Sequence, residues 1–581
     1  MIPSRLMNIV DYVALTYLGG IGAYVAKTFE LEDSIRKAGM NVYPPLYAAK
    51  LVLLTAAIFI ASFYVSAFLW LIQMPLAAKL LLSLIVFLFP VVVFAIGLYY
   101  PSYREGERRS WVDTELPLFA AYLTAMAMAG LDMISTLERL AKLRTFREMK
   151  AEADRFLSDV KIMGRDPLDA IERSVSHHPS RHLRDFLQGY AAVTRTGGSV
   201  VGYLETKTAE MFRQKMDELK LIADRVSLYM ELYIILGVIV SISLYLLFTV
   251  NALMPGSGGG GFSSAQLLVY SFVFMPLTSM TLIYLIGKVR PRNPVEDLAP
   301  LAFFVTYGVP LFFASLVLLG AATGSHKVLA GEVTKETILG AIATLTLSLI
   351  LLSFPSVIAW RLRQATIKGM GNSIANFLRD LVEVRKMGLS PEKSIVLLSQ
   401  RDYGALNPVL RKIATSLTLG FDIERAIAFA LRGYRNWMLI ATMRFLSDVI
   451  VFGGGSIETL DSLARFSRSL ADFEEEVAKK FKVYLLMPYV GVALVVGSSL
   501  LMVSYMVQTL SLDPVKAELF MDEIRYTTLY MSIGAIFNAW LMGLVAGKLT
   551  SGSALAGLIH SIILTLLAGL TAFYIVSNIS F

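Results

Sequence analysis

The sequence predicts an all-α, polytopic membrane protein with about nine transmembrane helices and two duplicated cytoplasmic helical-bundle modules. Three observations predict it. The chain of 581 residues is 56% hydrophobic and only 17% charged, with a mean hydropathy of +0.62, too apolar for a water-soluble domain. Its apolar residues gather into long charge-free runs. Two charged, helix-rich stretches, roughly 101–228 and 361–482, repeat one another.

The runs give the membrane frame. Leu51–Ala78, Leu80–Tyr103, Leu298–Ser325, Ile338–Trp360, Val483–Leu512, Tyr526–Gly547 and Leu549–Phe581 carry no Asp, Glu, Lys or Arg, and Leu232–Gly287 is long enough for two crossings. About 20 apolar residues cross a ~30 Å hydrocarbon core, which gives nine crossings. The organisation reads as follows. Residues 1–50 form a cytoplasmic N-terminal helical segment, with a helix over Leu31–Ala38 stopped by Gly39 and a turn at Pro44-Pro45. Residues 51–100 hold crossings 1–2, with their turn near Gln73-Met74-Pro75. The first module spans 101–228 and crossings 3–6 span 229–360. Between those crossings lie a glycine-rich outer loop, Pro255–Gly261, and a proline-rich inner loop, Lys288–Pro300. The second module spans 361–482, and crossings 7–9 span 483–581.

The repeat is carried by turn signals. Gly130-Leu131, the Gly164–Ile171 segment and Gly197-Gly198-Ser199 recur as Gly388-Leu389, Gly420–Ile427 and Gly454-Gly455-Ser456. The first residues of these pairs are separated by 258, 256 and 257 residues. A nearly constant offset of this kind marks a duplication. Apolar residues at three- and four-residue spacing (Leu116, Phe119, Leu123, Met126, and then Ile374, Phe377, Leu381, Val384) predict helices in both copies.

Charge sets the orientation. The modules hold 20 and 19 of the 53 basic residues, against 19 and 13 acidic ones, so the copies differ in net charge by five. The loops expected on the other side are poor in Lys and Arg. The positive-inside rule then places both modules and the N-terminus in the cytoplasm, with Phe581 outside. The basic balance is a topology signal, and no basic-aromatic pattern indicates a nucleic-acid partner.

Catalytic signatures are weak. The chain has no cysteine, so disulfides and thiolate metal sites are excluded. The stretch Gly543–Leu549 lacks the spacing and the Ser or Thr of a phosphate loop and follows an apolar run rather than a strand. His177, His178 and His182 sit among Arg181 and Arg184 and read as a polar corner between helices rather than a metal site. No apolar core contains an Asp, which excludes an intramembrane aspartyl protease. Lys79, Glu231 and His560 are the ionisable residues at membrane depth, and His560 is expected to form a helix-packing hydrogen bond or to touch a passing subunit. The clustered glycines before Ser199 and Ser456 fit tight helix reversals better than anion nests. Asp472–Lys482 reads as a charged helix at the membrane surface.

The set Asp113–Phe119, Ala129-Gly130-Leu131, Gly164–Ile171 and Gly197-Gly198-Ser199 resembles the F domain of type II secretion and type IV pilus platform proteins. Two copies with nine crossings, and the C-terminal Gly543–Lys548, Gly552-Ser553 and Ala556–Ser561, resemble the archaeal branch, which serves the archaellum and adhesive pili. The second copy departs from the pattern, with Ile423 in place of Pro167 and Asn376-Phe377 in place of the Leu-Pro-Leu-Phe entry. The resemblance implies a non-catalytic platform without cofactor or metal. It would be held in the cell membrane, as a homodimer, between a hexameric secretion ATPase and pilin or archaellin subunits. Expected ATPase contacts are exposed charges at the module entrances: Arg104, Arg108 and Arg109, and Arg361, Arg363 and Lys368. The alternative is a polytopic transporter or channel with two cytoplasmic regulatory modules.

Overall fold

The computed structural model describes residues 4–71, 76–142, 146–253, 264–289, 299–364, 369–434, 436–511 and 514–578. The turn expected near Gln73–Pro75, the outer loop Pro255–Gly261 and most of the inner loop Lys288–Pro300 lie outside them. All regular structure among the described residues is helical, and nine of those helices are long and apolar enough to cross a membrane. The chain divides into two compact units, Met1–Ala209 and Glu210–Phe581.

The first unit opens with α1 (Ser4–Thr28) and α2 (Leu31–Lys37), followed by α3 (Pro44–Leu71) and α4 (Leu76–Met128). Two expectations change here. Pro44-Pro45 does not form a turn but begins α3, because a first-turn residue needs no intrahelical N–H bond and proline's φ suits that position. The N-terminal segment also holds a 25-residue helix, α1, that the periodicity around Leu31 did not reveal. The predicted stop at Gly39 holds, with φ at +66°. α4 is a single helix of 53 residues that passes through Pro90, Pro101 and Pro117 and carries the second crossing directly into the first module. There α5 (Met133–Lys142), α6 (Glu148–Lys161), α7 (Pro167–Ser176), α8 (Arg181–Arg195) and the start of α9 (Val200–Tyr233) complete a bundle. Its core includes Phe119, Leu123, Met126, Leu140, Phe156, Ile171 and Phe186, all buried.

In the second unit α9 continues through a π-helical turn, Ile234–Ile239, into α10 (Val240–Leu253). After α11 (Ser264–Val269), the turn Tyr270–Phe274 is π-helical and leads into α12 (Met275–Val289). The same device, Phe304–Gly308, joins α13 (Ala299–Phe303) to α14 (Val309–Ala322). α15 (Lys335–Gln364) leads to the second module: α16 (Met370–Lys386), α17 (Pro391–Leu398), α18 (Asn407–Thr418), α19 (Ile423–Ala430), α20 (Trp437–Gly453) and α21 (Ile457–Val483). Three membrane helices follow: α22 (Leu486–Ser511), α23 (Pro514–Ser551) and α24 (Leu558–Asn578).

α23 is the most enclosed of the nine candidate spans. Its glycines explain how. A Cβ on Gly547 would lie 2.0 Å from the Cα of Gly557, and one on Gly543 would lie 2.2 Å from the Cα of Ser561. The backbones of α23 and α24 therefore meet directly, as small residues four apart permit in a membrane. Hydrogen bonds add to the packing. Ser561 Oγ donates to Trp540 O at 2.8 Å, and Trp540 Nε1 donates to Ser353 Oγ on α15 at 2.9 Å. The stretch weighed as a phosphate loop is this helix crossing.

Candidate functional site

The two modules are built from the same local instructions. In each, four short polar side chains cap helix starts by accepting a backbone N–H. Asp132 accepts from Ser135 N, Asp166 from Leu168 N, Ser180 from Leu183 N and Ser199 from Gly202 N. The second module answers with Ser390 to Lys393 N, Asp422 to Arg425 N, Asn436 to Leu439 N and Ser456 to Thr459 N. Each bond satisfies a donor that the first helical turn otherwise leaves unpaired. Ahead of three of these caps stands a glycine with positive φ: Gly130, Gly164 and Gly197, then Gly388, Gly420 and Gly454. Those conformations end one helix and release the chain for the next cap. The turn signals that defined the repeat are thus helix reversals, as expected.

These reversals share one end of each bundle. In the second module Asn372 Nδ2 at the start of α16 reaches Glu475 Oε2 near the end of α21, at 3.3 Å. At the other end Arg385 donates to Gly455 O from Nε at 3.1 Å and from Nη2 at 2.9 Å, and also to Leu389 O. α21 therefore runs back from the glycine turns toward the membrane helix α22, and the turns form the membrane-distal tip. In the first module α4 leaves its membrane segment and ends at the corresponding tip. Ile162 and Leu419, at matching positions just after α6 and α18, are 80% and 72% exposed there. A large aliphatic residue held out at the same place in both copies is a candidate contact point, which periodicity could not separate from a core position.

At the position of Glu152 the interior of the first module is ionic where the second is apolar. Arg108 Nε and Nη2 donate to Glu152 Oε1 at 3.0 and 2.7 Å, and its Nη1 donates to Lys37 O at 2.8 Å. Arg155 Nη1 donates to the same carboxylate oxygen at 2.8 Å, and His178 Nε2 lies 3.6 Å from it. Burial by itself would raise the Glu152 carboxyl, but His178, Arg108 and Arg155 outweigh it and hold the group at about 2. Glu115, fully buried, accepts from the backbone N–H groups of Arg147 and Met149 at 2.9 Å each. The residue that stands at the position of Glu152 in the second copy is Val409, also fully buried.

The residues expected at the module entrances differ in their surroundings. Arg104 is partly exposed and donates to Glu107 at 3.1 Å, and Arg109 is exposed with its Nε 3.6 Å from Asp113. Arg108 is not an exposed charge: it is 8% exposed, and its guanidinium is committed to Glu152 and Lys37. Arg361 is exposed at the end of α15. The side chain of Arg363 and the whole of Lys368 lie outside the described residues.

His177 and His178 mark the corner between α7 and α8, where His178 Nδ1 accepts from Ser180 N at 3.1 Å. No group of metal-ligand residues is found among the described residues. His560 shares a 2.7 Å hydrogen bond between its Nδ1 and the hydroxyl of Tyr489 on α22.

The profile of the family described as type II secretion system (T2SS), protein F, matches residues 119–248 and 377–507. Two stretches of the chain are thus similar to the F domain. Their matched segments begin on Phe119 and Phe377, the buried aromatics that open each core stripe. They end within α10 and α22, so each F domain includes the membrane helix that follows its bundle. An uncharacterized protein of Methanocaldococcus jannaschii is 21% identical over 512 residues, covering 83% of each chain. No solved structure matches the chain. The F-domain family works as non-catalytic membrane platforms of secretion and pilus systems.

Proposed function

We propose that this protein is the platform of an archaeal type IV pilus-like filament, an archaellum or an adhesive pilus. It couples a cytoplasmic hexameric secretion ATPase to the insertion of pilin or archaellin subunits, without catalysing a reaction or holding a cofactor. Both F bundles face the cytoplasm, Phe581 lies outside, and the working form is a homodimer.

One observation carries the reading. Each F bundle is continuous with membrane helices: α4 runs unbroken from a crossing into the first, and α21 runs into α22 from the second. A displacement imposed on a bundle then moves a membrane helix rather than being absorbed in a loop. The exposed Arg104, Arg109 and Arg361 at the entrances, with Ile162 and Leu419 at the tips, are the proposed contacts for the ATPase. Such a charged rim with a few apolar points suits a reversible interface.

The test is reconstitution. The purified protein in nanodiscs should show no ATP hydrolysis of its own and should raise the hydrolysis rate of its partner secretion ATPase. Charge reversal at Arg109 and Arg361 should weaken that stimulation while leaving membrane insertion intact. Failure of the two proteins to associate in detergent and in nanodiscs would remove the reading. The transporter alternative predicts solute flux lost on changing His560, whose ring is instead engaged by Tyr489.

A further inference from the structure

α1 has the composition of a helix that does not meet water. From Tyr12 to Ala26 it contains no charged residue. Yet Tyr12, Leu15, Tyr17, Ile21 and Tyr24 stand 44–77% exposed around its free side. A helix in water carries polar residues on its outer face, whereas one that is apolar all round is enclosed by something apolar.

What encloses it follows from its seat. α1 packs lengthwise on α3, the first candidate span. Gly22 lies so close to α3 that a Cβ there would be 2.5 Å from Pro45 O and 2.8 Å from the Ala49 Cβ. Nearer the start of α1, Asp11 forms an ion pair with Lys50, deeper along α3. The two helices therefore run in opposite directions. The described acidic side chain of α1 is neutralised by a residue of the span itself. The exposed face of α1 continues into that of α3, where Leu54, Phe59, Ile60, Phe63 and Tyr64 are exposed on a helix that crosses the bilayer.

We propose that α1 is a lipid-embedded helix. Its free face is covered by acyl chains at the cytoplasmic side of the membrane, with Tyr24 near the headgroups and Tyr12 deeper. Tyrosine suits both positions, since its ring is apolar and its hydroxyl reaches the interface. Membrane contact then begins before α3, and the surface that this part of the protein offers to its surroundings is lipidic rather than aqueous.

The chain contains no cysteine, so single labels can be placed without background. Spin-labelled Tyr12→Cys, Tyr17→Cys and Tyr24→Cys of the full chain in nanodiscs would be read by power saturation with oxygen and with a water-soluble nickel chelate. Leu494→Cys in α22 and Ile162→Cys at the module tip serve as lipid and water references, being 49% and 80% exposed. The expected result is an oxygen-to-nickel accessibility ratio that rises from Tyr24→Cys through Tyr17→Cys to Tyr12→Cys, with the last matching Leu494→Cys. Ratios equal to that of Ile162→Cys at all three positions would overturn the proposal in favour of a water-exposed helix. Labels shielded from both agents, or broadened by a neighbouring label, would overturn it in favour of a protein partner or a second copy of this chain.

Discussion

Replacing Glu152 with Gln should loosen the first F bundle and leave the second untouched. The substitution preserves the shape of the side chain but removes the charge that Arg108, Arg155 and His178 converge on. Two routes give its cost. A carboxyl held at about 2 rather than its ordinary 4.5 corresponds to about 3 kcal/mol of preference for the ionised form in the folded bundle. The Glu152 side chain is only 12% exposed, so solvent screening takes little of this away. Independently, stripping the anion from a buried arginine costs roughly 3–5 kcal/mol, because the remaining charge stays desolvated. Hydrogen exchange of the full chain in nanodiscs reads the effect locally. Amides of α6 and α7 should exchange on the order of 100-fold faster in Glu152→Gln, while those of α18 and α19 keep their protection. A second variant separates charge from volume. Arg108→Met with Glu152→Leu should recover part of the protection, since the buried guanidinium leaves together with its anion. Unchanged exchange in Glu152→Gln, or faster exchange in the double variant than in the single one, would refute the account of this network. The pH dependence has a definite sign. A depressed carboxyl stabilises fully above its unfolded value near 4.5, and that contribution fades as pH falls from there toward 2. The first bundle should therefore lose protection at pH 3.5 relative to pH 7 through this group, and Val409 gives the second bundle no equivalent loss.

Three further outcomes follow from the packing. Gly547→Leu should prevent α23 and α24 from closing, costing about 3 kcal/mol or more, whereas Gly497→Ala, which meets nothing within 4 Å, should behave as wild type in thermal unfolding in detergent. Asp166→Ala and Asp422→Ala should each cost about 1 kcal/mol, read as faster exchange at the starts of α7 and α19 respectively. A double-mutant cycle of Tyr489→Phe and His560→Phe should return a coupling of about 0.6–2 kcal/mol, as for other hydrogen bonds between membrane helices. A coupling near zero would mean that the Tyr489–His560 bond does not hold α22 to α24.

What the sequence made legible was the part written in local rules. Charge-free runs located the spans, because a bilayer demands length and apolarity and little else. Glycines at 130, 164 and 197, and at 388, 420 and 454, were legible because a positive φ is a local requirement that glycine meets at least cost. Phe119 and Phe377 were legible as core through their spacing, and both are buried. Tertiary partners were not. Arg108 read as one more entrance charge beside Arg104 and Arg109, and nothing local marks Glu152, 44 residues on, as its counter-ion. α1 escaped because Asp11, Lys27 and its three glycines shorten the apolar run below a crossing's length, and its neutralising partner Lys50 lies on another helix.

The divergence of the two F bundles bears on how the proposed motor would use both. Their frames are held by matching caps and turns, so duplication preserved the geometry of the tips. Their interiors were solved differently. An ion cluster fixes the first, and it also binds Lys37 O, so the N-terminal segment is tied to α4 and α6 through Arg108. The corresponding place in the second is closed by apolar packing around Val409, Leu410 and Ile413, with Arg385 tying the tip turns together from outside the core. A buried ion cluster tolerates small displacements poorly, because its strength depends on hydrogen-bond geometry. An apolar core is far less demanding of angle. The first bundle is therefore tied to the N-terminal helices, and the second to the membrane helix α22 through α21. Two like tips on bundles with unlike interiors would give the proposed cytoplasmic motor two unequal grips.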